Sequence, residues 1–153
     1  MKKMTVLILL SFLLVGCFDN RSQVQVTEVE DLKLYEEAEQ FVTEYKEAMI
    51  SSIEEKDFDI LEPYLIPNNS FYHSLRRYFD DLIKGNASKE LIHMEVNDVL
   101  VDAEENDNYF VNVNEEVLLL YLNGEQEQIE RHIEYELIKS PELDFRIVTI
   151  REN

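Results

Sequence analysis

This chain is short of cysteine, tryptophan, glycine, proline and positive charge, and each shortage excludes something. Cys17 is the sole cysteine in 153 residues, so no intramolecular disulfide can form and the disulfide-stapled mini-domain class is ruled out. With three glycines and three prolines, the long periodic stretches run without interruption. Lys and Arg number 14 against 33 acids, a formal net charge of -19. That balance disfavours nucleic acid, because neutralising phosphates needs clustered Lys and Arg. It also opposes contact with anionic lipid heads or polyanionic wall polymers unless cations intervene, so the charge serves solubility. Chemistry is sparse too. There is no G-x-S-x-G, no phosphate-cradling glycine loop, and no cysteine beyond Cys17 for catalysis. Neither a cofactor nor a catalytic residue is indicated.

What the chain does have begins at its N-terminus. Lys2 and Lys3 form a positive head, Thr5 to Val15 is almost unbroken apolar sequence, and Gly16 precedes Cys17. This is the layout of a secretory signal, too short to span a bilayer comfortably. Leu14-Val15-Gly16-Cys17 resembles a bacterial lipobox. That resemblance implies cleavage between Gly16 and Cys17 and a diacylglyceryl group on the Cys17 thiol, whose two acyl chains suffice for stable anchoring. The expected organisation is a signal peptide over 1–16, a lipidated cysteine and tether over 17–27, and one folded domain over 28–153. The expected location is the bacterial cell membrane, lipid-anchored on its extracytoplasmic face.

Residues 28–55 carry a helical stripe: Leu32, Tyr35, Ala38, Phe41, Val42, Tyr45, Met49 and Ile53 recur at three- and four-residue steps. Glu28, Glu30 and Asp31 suit the positive end of its dipole. Lys33 and Lys46 are expected mostly off the apolar stripe. A short helix over 57–62 with Asp57 or Asp59 as cap leads to an irregular passage between Pro63 and Pro67. A third helix is capped by Asn69 or Ser70, and Gly85 is expected to end it in a left-handed conformation.

After Gly85 the period becomes two. Strands are expected over 91–102, 109–121, 127–139 and 144–151, an α+β arrangement with a sheet of about four strands. Asn123-Gly124 invites a two-residue hairpin loop, but that register would point the two apolar faces in opposite directions. A three-residue loop, Leu122 to Gly124, with Gly124 left-handed restores agreement. It sets Val117 opposite Ile129, Val113 opposite Ile133, Val111 opposite Tyr135 and Glu115 opposite Arg131. The two polar exceptions on the apolar faces thus become partners.

Glu115 and Arg131 are the candidate site. Facing the concave side of a sheet, they suit either a polar ligand or acid–base work. The competing role is an ion pair bridging sheet to helix, which specifies register more than it adds stability. His73, His93 and His132 show no metal-ligand spacing, and Asp102, Glu104, Glu105 and Asp107 lack the alternation of a calcium loop, so no metal is indicated. Tyr35, Tyr45, Tyr64, Tyr72 and Tyr78 suit either a pocket lining or core.

With these elements placed, residues 36–150 resemble an NTF2-like (cystatin-like) domain, in particular the extracytoplasmic domain of TcaA-type membrane proteins. The residues that carry the likeness are Phe41-Val42-x-x-Tyr45, Lys56-Asp57-Phe58, Pro63-Tyr64-Leu65, Asn69-Ser70, Glu115 and Tyr135-Glu136-Leu137. The resemblance implies a cone in which a long helix and smaller ones pack into a strongly bent antiparallel sheet. Two departures stand out: a lipobox replaces the zinc ribbon and membrane helix of TcaA-type proteins, and Phe145 replaces the tryptophan usual early in the last strand. Such folds host both enzymes and binding modules. Three functions follow as expectations. The first is a non-catalytic binding module of the envelope, reaching an envelope protein or a cell-wall component. The second is an enzyme using Glu115 and Arg131, and the third an accessory lipoprotein of a membrane complex. A deep polar pocket with converging titratable groups would favour the enzyme; a filled cone with an exposed apolar patch would favour the module.

Overall fold

The computed structural model describes residues 24–142 and 144–153. The signal segment, Gly16 and Cys17 lie outside the described residues. Helix α1 spans Leu32–Glu55; Asp31 caps it, its carboxylate accepting the N–H groups of Lys33 and Leu34. It ends at Lys56 in the left-handed conformation, where the Asp57 N–H reaches back to the Ser52 carbonyl at 2.9 Å. A 3₁₀ helix follows over Phe58–Tyr64, with Asp57 as its cap and Pro63 inside it. A tight 3₁₀ turn tolerates Pro63, whereas α-helical continuation there would cost a hydrogen bond.

Helix α2 spans Ser70–Lys84 and is capped by Asn69, which also donates from Nδ2 to the Val148 carbonyl at 3.0 Å. One side chain therefore starts a helix and fastens it to the last strand. Gly85 is not left-handed, contrary to expectation: its φ is -74°, and Asn86, at φ 47°, takes that role. The closing bond from the Ala87 N–H to the Leu82 carbonyl places the reversal one residue later. Asparagine is among the few residues that enter this region readily.

Five strands rather than about four form the sheet, in the order β1-β2-β3-β4-β5 with every pair antiparallel. They are β1 Val26–Glu28, β2 Ser88–Asp102, β3 Asn108–Leu120, β4 Gln126–Lys139 and β5 Phe145–Glu152. The extra strand, β1, takes Val26 and Thr27 out of the segment expected to be tether. It is short and exposed, so no periodic pattern marks it. The β3–β4 register pairs Val117 with Ile129, Val113 with Ile133, Val111 with Tyr135 and Glu115 with Arg131. The loop is the three-residue one, with Gly124 at φ 86° and the Tyr121 N–H bonded to the Glu125 carbonyl at 2.9 Å.

Two bulges, at Ile92 and Asn97, interrupt the pairing of β2 with β3. Each inserts a residue, which bends the strand and explains its imperfect alternation. The bent sheet wraps the buried face of α1. Val42, Leu61, Leu65, Val111, Leu137 and Ile147 are fully enclosed there, and Phe145 packs against the rings of Phe41 and Tyr109.

Candidate functional site

Glu115 stands in the middle of β3, at a position where strand alternation calls for an apolar residue. The register brings Arg131 of β4 directly opposite, donating to Glu115 Oε1 from Nε at 2.7 Å and approaching with Nη2 at 2.6 Å. The other oxygen, Oε2, is paired with the Lys46 ammonium of α1. Glu115 and Lys46 are each 3 % exposed. The expected pair is therefore a triad that joins two strands to the helix.

The expectation that Lys46 lies off the apolar stripe is overturned. It sits four residues after Val42 and three before Met49, both buried, and so shares their face. The helical phase carried this signal, but residue type hid it. A lysine stem packs like a hydrophobe once its ammonium meets a counter-charge. Burial pushes the Glu115 carboxyl up, but Lys46 and then Arg131 outweigh it and hold the group below its ordinary value of 4.5. Burial also pushes the Lys46 ammonium down, against the pull of Glu115.

Beside the triad the mouth of the cone opens into a cavity of about 480 Å³. Tyr45, Met49, Leu75, Tyr78, Ile133 and Tyr135 supply apolar wall, while Lys46, Lys89 and Arg131 bring three cations to it. Glu152 of β5 lies at the rim, 3.9 Å from Arg131 and largely exposed. Burial keeps the phenols of Tyr45, Tyr78 and Tyr135 protonated, above their ordinary value of 10.0. They are available as hydroxyl donors. A site with local positive charge thus sits inside a chain of strongly negative net charge.

Lys89 is the residue that sequence reasoning missed. It is the second residue of β2, paired with Leu119, and extending the strand back from the expected start at Leu91 turns it inward. Only 3 % of it is exposed, and its ammonium lies 5.6 Å from the centre of the Tyr78 ring. Burial, then the neighbouring charges of Lys46 and Arg131, push its pKa down to about 7 against the pull of Glu115.

Of the five tyrosines singled out, Tyr45 and Tyr78 line the cavity. Tyr64 packs on the Phe41 and Tyr45 rings, and Tyr72 donates to Glu62 at 2.6 Å. His73, His93 and His132 are exposed on separate elements, and the Asp102 carboxylate caps the N–H groups of Glu104 and Glu105. Among the described residues no cluster of three or more metal-ligating side chains occurs, and no helix is long and apolar enough to cross a membrane. A second hollow of about 440 Å³ lies between α1 and the β4–β5 turn. Its two lysines, Lys139 and Lys33, are already committed to Glu37, at 2.7 Å and 3.5 Å.

The shape has known counterparts. The intermembrane space region of chloroplast protein ARC6 matches with TM-score 0.63 and 15% identity, covering 75% of this chain and 92% of that one. A protein from Planctomyces limnophilus matches with TM-score 0.54 and 8% identity, covering 74% and 92%. The association domain of C. elegans CaMKII matches with TM-score 0.50 and 14% identity, covering 79% and 98%. At these identities the likeness is one of fold. In sequence, an uncharacterized protein of Alkalihalophilus pseudofirmus is 41% identical over 147 residues, 95% of this chain and 91% of that protein. The family model for the TcaA protein NTF2-like domain matches residues 34–151, which take in every element from α1 to the body of β5. The chain therefore belongs to the TcaA NTF2-like domain family.

Proposed function

We propose that this protein is a non-catalytic binding module of the bacterial envelope, held by a lipidated Cys17 at the extracytoplasmic face of the membrane. The observation that carries the non-catalytic part is the triad. Both oxygens of Glu115 are engaged by cations, and a carboxylate so paired is a poor proton acceptor. The cavity has converging charges, as an enzyme would, but Glu115, the enclosed carboxylate beside it, is committed to joining sheet and helix. That favours a seat for a ligand over the catalytic alternative through Glu115 and Arg131. The lipobox-like Leu14 to Cys17 supports the anchor, and membership of the TcaA NTF2-like family supports the extracytoplasmic placement. Anchoring raises the local concentration near envelope partners, which makes even a weak binder effective.

Two measurements test this. Full-length protein with Cys17→Ser should leave the membrane fraction on high-salt washing while the wild type stays; a variant that remains bound sinks the anchor. Crosslinking in intact cells should capture an envelope protein or wall component. A single constant membrane-protein neighbour would favour the accessory-lipoprotein alternative.

A further inference from the structure

Lys89 poses a question that the triad does not answer. Lys46 and Arg131 divide the single charge of Glu115 between them. Lys89 is as deeply enclosed as Lys46 and more so than Arg131, lines the same cavity, and meets an aromatic face rather than a carboxylate. Enclosed charges are ordinarily paired, because removal from water without a counter-ion is costly. The Glu152 carboxylate is the nearby acid on the rim, but it is 63% exposed and turned toward Arg131.

From this geometry we infer that the cone mouth seats a small organic monocarboxylate, its acid group on Lys89 and Arg131 and its apolar body against Met49, Leu75 and Ile133. The inference rests on the binding-module reading of the same cavity and names the ligand class. Charge decides for a single acid group: Lys46, Arg131 and Lys89 bring at most three positive charges, and Glu115 with the rim carboxylate Glu152 cancels two of them. A volume of about 480 Å³ suits a small molecule, and the apolar wall rewards a ligand with a hydrocarbon or aromatic body over a bare inorganic anion. The phenols of Tyr45, Tyr78 and Tyr135 supply neutral donors around the head. A bound carboxylate would also restore the proton that Lys89 loses near neutrality.

Nuclear magnetic resonance of the ¹⁵N-labelled full chain in a non-ionic detergent tests this, with phenylacetate, its neutral isostere 2-phenylacetamide, and inorganic phosphate as probes. Phenylacetate should shift the amides of Lys89, Arg131 and Ile133 saturably. The amide should bind about tenfold more weakly or worse, and phosphate should not displace phenylacetate at equal concentration. Affinity should fall as pH rises through the Lys89 value of about 7. Lys89→Met should abolish that pH dependence and lower affinity about tenfold; Lys89→Arg should preserve binding.

The groups facing Lys89 are Tyr45 and Lys46 on α1, Tyr78 on α2, Glu115 on β3, Arg131 and Tyr135 on β4 and Glu152 on β5. The Lys89→Met comparison separates its titration from theirs. Equal binding of acid and amide would overturn the carboxylate while leaving a binding cone intact. Phosphate binding as tightly as phenylacetate would overturn the organic body, and no saturable shift at these amides would overturn the inference outright. If Lys89→Met fails to fold, the acid–amide comparison on the wild type decides alone.

Discussion

Replacing Glu115 by Gln isolates the triad's contribution. The change is nearly isosteric, so it removes charge and leaves volume intact. What remains are two cations, with Lys46 4% and Arg131 22% exposed in their side chains, facing a neutral amide. Breaking an enclosed ion pair by neutralising one partner costs about 3–5 kcal/mol. For a domain of this size each kcal/mol moves Tm by about 3–4 °C, so the midpoint should fall by about 10–20 °C, measured by calorimetry or far-ultraviolet dichroism. The double variant Lys46→Met/Glu115→Gln should recover much of the loss, because a methionine fills the lysine's space without needing a counter-charge. A drop of less than about 3 °C in the single variant, or further loss in the double one, would refute the claim that the triad is an integral part of the core. Because the Glu115 carboxyl lies below its ordinary 4.5 in the fold, the unfolded chain binds more protons in that window. The stabilisation is thus complete above 4.5 and is lost as pH falls through the lower folded value. Glu115→Gln should flatten that part of the acid-unfolding curve.

For Lys89 too stability rises with pH, but as the relief of a penalty rather than the gain of a contribution. Between about 7 and its ordinary 10.5 the unfolded chain holds a proton that the folded one lacks, so stability rises with pH there and the full penalty is in force below 7. Lys89→Met should raise Tm most below pH 7, by a few kcal/mol equivalent at most, about 5–10 °C, with the gain shrinking toward 10.5. Gly85→Ala should be neutral or stabilising by about 0.4–1 kcal/mol, since φ is -74° and the nearest contact a Cβ would make is at 3.4 Å. Gly124→Ala should instead cost about 1–2 kcal/mol, despite open space around it, because φ is 86°; denaturant melts of the two variants check both. Asn69→Ala removes a cap and the bond to Val148, and a loss of about 1–2 kcal/mol is expected.

Much of the architecture was legible because it depends on local period. The stripe of α1, the caps Asp57 and Asn69, each one of two candidates, and the alternation of β3 and β4 are all one-dimensional patterns. Register was legible for a further reason. The side-chain period of a strand is two, so of the two- and three-residue loops only the longer lets both apolar faces agree, and that constraint places Glu115 against Arg131. Where local evidence was ambiguous, expectation and structure parted. Gly85 and Asn86 are adjacent residues that can each end a helix, and the choice between them depended on where the Leu82 carbonyl found its partner. Strand β1 is too short and exposed for a pattern to show it.

The α+β class, the β3–β4 pairing and one half of the polar cluster are written in local pattern, because each follows from period and from the rule that polar exceptions on apolar faces need partners. That Lys46 completes the cluster and that Lys89 stands inside the cone mouth are consequences of the packed fold. Both depend on how a bulged, bent sheet closes over α1. That closure sets distances between residues far apart in the chain, and no local pattern encodes it.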